Sequence, residues 1–135
     1  MKRTFREIIQ EVDEARANVF SEEQKFIWLC ELVAQLQTEE WKYNFLPQQD
    51  YAYDIDNNVP SPHGYDLTRA YRAWLRYSIN VAQEDYDLAE QDKIEYDMIR
   101  AEYRSWRIQR YGPHGEKRNE RTYFERHVDL LDGLR

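Results

Sequence analysis

Residues 67–111, LTRAYRAWLRYSINVAQEDYDLAEQDKIEYDMIRAEYRSWRIQRY, form the stretch on which the fold turns, because it contains neither proline nor glycine. Asp66 precedes it as a helix cap. Read as one helix, the segment would extend about 65 Å at 1.5 Å per residue, far beyond the usual three or four turns. Its weak point is SINVAQED, where Ser78, Asn80 and the β-branched Ile79 and Val81 lower helix propensity. A hairpin that folds back near Ser78 is the alternative, but it would want a glycine or proline at its turn. The pattern therefore predicts one long or bent central helix.

Two stripes run along its second half. Ala82, Tyr86, Ala89, Lys93, Tyr96, Arg100 and Tyr103 recur at intervals of three and four, and Ile94, Met98, Ala101, Ser105 and Ile108 lie almost opposite. A helix that carries apolar groups on opposed sides cannot bury both against one neighbour. Either the rest of the fold sandwiches it, or a partner covers the far side.

Upstream, Phe5, Ile8, Ile9, Val12 and Ala15 give a short amphipathic helix over 4–17. Ser21 caps a second helix reaching about residue 43, with Gln24 at the N3 position and Phe26, Leu29, Cys30, Val33, Leu36 and Trp41 on its apolar face. The periodicity stops at 44–65, a long proline-containing loop. Its Asp54, Asp56 and Asn58 imitate the first ligands of a calcium loop, but Val59-Pro60 replaces the turn glycine and Tyr65 the final glutamate. The segment reads as a run of turns. Downstream, Thr122 and Glu125 make a capping box for a short terminal helix, with Phe124, Val128, Leu131 and Leu134 apolar. The expected fold is all-α: a short N-terminal helix pair, the central element and a C-terminal helix. Residues 1–111 form the helical domain, and 112–135 a Gly/Pro turn and docking helix, within that domain or as an arm to a partner.

Pro-His-Gly occurs at 62–64 and again at 113–115. The flanking sequences share no apolar register, so the tripeptides read as turns rather than a duplication: proline fixes φ and glycine lets the backbone reverse. A straight helix between them would hold His63 and His114 too far apart to share a metal, and a structural zinc site would also require His127 and a carboxylate. No metal or cofactor is expected.

The chain has 135 residues, a net charge of −7, 33% charged residues and 15% aromatic residues, among them 11 tyrosines and 4 tryptophans. This is one domain's worth of chain with ample means to fold. The negative charge argues against a broad, non-specific grip on nucleic acid. A single cysteine, Cys30, forms no internal disulfide and reads as an inert buried thiol, in keeping with an intracellular, cytoplasmic or virus-particle setting. No leader-like segment or membrane-length apolar run is visible.

Charge is segregated along the chain. Seven acidic residues fall within 84–97, whereas 100–126 contains Arg100, Arg104, Arg107, Arg110, Lys117, Arg118, Arg121 and Arg126. The acidic block would mimic phosphate for a nucleic-acid-binding partner, or dock on the basic block of another subunit. The basic stretch, interleaved with aromatics, would alternatively hold RNA or single-stranded nucleic acid. Catalytic signatures are sparse: no Gly-rich phosphate loop, no HExxH and no histidine preceded by glutamate at the di-iron spacing. A small enzyme with a carboxylate/His site remains the third reading.

The favoured expectation is a non-enzymatic helical interaction protein: an adaptor, assembly subunit or inhibitor that binds itself or another protein. Its expected contact surface comprises Tyr96, Arg100, Tyr103, Trp106, Arg107, Arg110 and Tyr111 on the long element. Tyr123, Phe124, Val128 and Leu131 on the terminal helix complete it.

Overall fold

The computed structural model describes residues 3–39 and 53–111, and these are all-helical. Helix α1 spans Phe5–Ala15, α2 Glu22–Glu39, α3 Thr68–Ala82 and α4 Tyr86–Tyr111. The expected C-terminal helix, the last turn expected of the second helix from 40 to 43 and the part of the long loop from 44 to 52 lie outside the described residues.

A full capping box starts α1. Thr4 accepts from the backbone N–H of Glu7, whose carboxylate accepts in return from the Thr4 backbone. These bonds, with Arg3 alongside, hold the Glu7 carboxyl below the usual carboxylate range. Two further first-turn amides reach across the chain: Phe5 N–H donates to Asn57 O at 3.1 Å and Arg6 N–H to Ile55 O at 3.0 Å. The turn segment 53–59 thus satisfies donors that a helix start leaves orphaned. Asp56 adds an ion pair to Arg6, 2.9 Å away. The false calcium loop is a turn, as its sequence implies, and serves as a clamp on α1.

Ser21 Oγ accepts from Gln24 N–H at 3.1 Å, as expected of its cap position. The first Pro-His-Gly is a single 3₁₀ turn, Pro62–Gly64, with Gly64 at φ +77°. Asp66 then accepts from Thr68 N–H at the start of α3, and the Thr68 side chain, with this amide, draws its carboxyl down from its ordinary range.

The central element is two helices where one long or bent helix is expected. It breaks at 83–85, and α4 folds back along α3. Glu84 takes φ +62°, while Asp85 N–H donates to Asn80 O at 2.9 Å and Glu84 N–H to Val81 O at 3.0 Å. This is a Schellman motif with glutamate in the left-handed position that glycine usually fills. Absence of glycine did not prevent the turn because one strained residue costs only about 1 kcal/mol. Packing along two helices exceeds that cost. Arg76 of α3 pairs with Asp92 at 3.3 Å and Glu95 at 2.8 Å, and Asn80 donates to Asp92 at 2.6 Å. Glu84→Gly should accordingly raise stability by about 0.5–1 kcal/mol, seen as a thermal midpoint a few degrees higher.

The core is shared by all four helices. Phe5, Ile8 and Ile9 of α1 meet Leu29, Leu32 and Leu36 of α2, with Tyr71, Ala73 and Leu75 of α3 between them and α4. Helix α4 contributes Tyr96, Ile99 and Tyr103 to this cluster. That contribution fixes which side of α4 faces inward.

Candidate functional site

Helix α4 turns its tyrosine stripe into the protein. Tyr96 and Tyr103 are 1% and 0% exposed, and Arg107 is buried beside them. The Tyr96 ring lies 5.2 Å from that of Trp74 on α3. Tyr65, just past the 3₁₀ turn, packs with its ring tilted against Tyr103 at 5.0 Å and Trp106 at 4.9 Å. Cations cover the outer edges: Lys93 and Arg100 lie over the Tyr96 ring at 5.1 and 5.6 Å, and Arg110 over Trp106 at 5.6 Å. The expected contact surface is therefore corrected where it can be located. Tyr96, Tyr103 and Arg107 are core residues, and Trp106 is half-buried, because the fold-back supplies the neighbour that a lone long helix would have lacked. The side chain of Tyr111, together with Tyr123, Phe124, Val128 and Leu131, lies outside the described residues.

The opposite stripe remains uncovered. Ile94 is 55% exposed, Met98 60% and Ile108 39%, and Ala101 and Ser105 between them are exposed as well. Their spacing of four, three, four and three keeps them in one line over two heptads. Single exposed apolar side chains are ordinary, as at Val19 beyond the end of α1. A continuous line directly opposite a buried face is not.

Much of the acidic block is used internally. Asp85 pairs with Arg16, Asp92 and Glu95 with Arg76, and Asp97 with Lys93. The Arg76 contacts fasten α4 to α3, the Asp85 contact fastens the 83–85 turn to the end of α1, and Asp97 pairs within α4, so fewer carboxylates face outward than the sequence suggested. Glu84, Asp87 and Glu90 remain exposed.

Concavities among the described residues include two between the helices. An open cleft of about 700 Å³ is bordered by Arg3, Arg69, Arg72 and Arg76 against Glu11, Glu14 and Glu95. Arg72 and Arg3 share Glu11, and Arg76 holds Glu95, so the cleft is an ion-pair seam between α1, α3 and α4. The other, about 180 Å³, lies between Val12, Ile79, Leu88 and Asp92. Its volume is below the roughly 300 Å³ of small-molecule sites. Asp92 acts there as a latch, accepting from Arg76 and Asn80. Among the described residues no group of three or more His, Cys, Asp or Glu side chains is arranged to hold a metal ion. His114 and His127 lie outside them.

Cys30 is half-buried on α2, and burial pushes its thiol pKa up, away from the reactive thiolate. Among the described residues, no helix is long and apolar enough to cross a membrane.

Sequence periodicity found the exposed stripe; what it missed was the Tyr65–Tyr103–Trp106 cluster. Tyr65 seemed to belong to the loop, and only its position after the 3₁₀ turn brings it against α4. Comparison of the chain with protein-family models, with curated proteins and with solved structures returned no match.

Proposed function

We propose that this protein is a non-enzymatic helical interaction module, an adaptor, assembly subunit or inhibitor, that docks a protein partner on the outer face of α4. The observation that carries this reading is the line Ile94, Met98, Ala101, Ser105 and Ile108, exposed on a helix whose other face is already fully engaged. The four-helix body is the scaffold that holds this line straight and presents it. Among the described residues, three of the four arginines of the basic stretch favour protein docking over RNA binding. Arg107 is interior, and the guanidinium groups of Arg100 and Arg110 lie over rings of the same chain. A half-buried, unreactive Cys30 suits work inside a cell or virus particle.

Ile94→Glu combined with Met98→Glu tests the reading. Both positions are exposed, so the folded state should change by less than about 1 kcal/mol in thermal unfolding. Association with the partner retained by the wild-type chain from its native source should fall at least tenfold. Unchanged association of the folded variant, or saturable salt-sensitive binding of RNA in its place, overturns it.

A further inference from the structure

We propose that the outer stripe of α4 is the seam of a two-fold, antiparallel dimer, so that the occupant is a second copy of this chain. The inference rests on reading the stripe as a docking face and adds the partner and its direction.

The argument begins with the repeat. Ile94, Ala101 and Ile108 occupy one core position of a heptad and Met98 and Ser105 the other. Two large side chains, Ile94 and Met98, are followed along this line by two small ones, Ala101 and Ser105. Set antiparallel, with Met98 opposite Ala101 of the second copy, Ile94 falls opposite Ser105 of the second copy. Each bulky group then faces a small one at every central layer, and symmetry repeats each pairing. A parallel pair would place Ile94 against Ile94 and Met98 against Met98 and leave Ala101 and Ser105 facing themselves, which sets two crowded layers beside two hollow ones.

The flanking charges choose the same direction. Glu90, Asp97 and Arg104 lie along one side of the stripe, and Glu95, Glu102 and Gln109 along the other. In a parallel pair each side meets the opposite side of its neighbour one heptad on. Glu90 then faces Glu95 and Asp97 faces Glu102, four like-charge contacts after symmetry. In the antiparallel register, like sides meet. Asp97 comes beside Arg104 of the second copy twice, and the remaining like-charge approach, Glu95 with Glu102, also occurs twice, against four such contacts in the parallel pair. Glu95 is already neutralised within its own chain by Arg76 at 2.8 Å. Asp97, 59% exposed at its side chain, holds Lys93 only through a surface pair and keeps oxygen lone pairs for a second cation. Charge complementarity and shape therefore agree on one orientation.

The 135-residue chain should sediment as a monomer–dimer equilibrium, and Ile94→Glu with Met98→Glu should abolish the dimer. Asp97→Arg and Arg104→Asp should each raise its dissociation constant about tenfold, because symmetry counts each change twice, and the two together should restore it. Direction is read by disulfide trapping in a Cys30→Ala background. Ile94→Cys mixed with Ser105→Cys should cross-link, whereas Ile94→Cys alone should not. Cross-linking of Ile94→Cys alone means a parallel pair and overturns the proposal while leaving the docking face standing. A wild-type chain that stays monomeric at every concentration overturns the dimer. If Ile94→Glu with Met98→Glu still loses a different protein in that case, the interaction reading survives it.

Discussion

Phe5→Ala is expected to destabilise the fold by about 3–5 kcal/mol, the largest effect of any single truncation proposed for this chain. Phe5 is fully buried, and its ring meets three others: Phe26 at 5.3 Å, Tyr53 at 5.7 Å and Tyr71 at 6.4 Å. Those rings come from α2, the turn segment and α3, so a cavity at this point is bordered by four separate pieces of chain. Rigid neighbours of this kind cannot collapse into the space, which places the cost toward the upper end of the range. Tyr71 is further held by its hydroxyl, which donates to Pro60 O at 3.2 Å, and burial keeps its phenol well above its ordinary pKa. Urea unfolding of Phe5→Ala beside the wild type measures the loss. A change below about 1 kcal/mol would mean that the aromatic cluster is not the junction described.

The second large effect belongs to Asp13→Ala, expected to cost about 2–3 kcal/mol. The Lys25 side chain is only 4% exposed, and its ammonium lies 2.7 Å from Asp13. Removing the carboxylate leaves a buried cation with no counter-charge. The same oxygen accepts from Asn18 Nδ2 at 2.9 Å, and Asn18 in turn accepts from Phe20 N–H, so the α1–α2 connection loosens with it. Adding Lys25→Met to Asp13→Ala should recover most of the loss, because an apolar chain of similar length fills the site without needing a charge. If Asp13→Ala alone is neutral in urea unfolding, the ammonium is reaching water by another route.

Local rules carried the sequence reading a long way. The period of α1, the cap at Ser21, the turn at Pro62–Gly64 and the two faces of α4 are set within a few residues, and each lies where the pattern places it. Hairpin formation at 83–85 was different. Its cost is local, a glutamate at positive φ, but its reward is spread over Trp74, Arg76, Asn80, Asp92 and Tyr96, separated by up to two dozen residues. A reading confined to propensity sees the cost alone. The error then passed to the contact surface: with α4 imagined as a free helix, its tyrosines look like an interface. Folded back, they are the wall of a core, and the quieter stripe of isoleucine, methionine and small residues becomes the outward one. The fastening of α1 by residues 55–59 was equally hidden, because backbone carbonyls in a turn carry no side-chain signal.

That fastening has a consequence for the order in which the chain acquires structure. The α3–α4 hairpin is contiguous, closed by a three-residue link, and can organise through contacts between sequence neighbours. Helix α1 precedes the other three helices in the chain, yet the carbonyls that receive its opening amides, and the Asp56 that pairs with Arg6, belong to a segment about 50 positions later. The opening turn of α1 therefore cannot be locked in place until residues 55–59 have been made, and a nascent chain halted before residue 55 would hold an α1 still waiting for its other half.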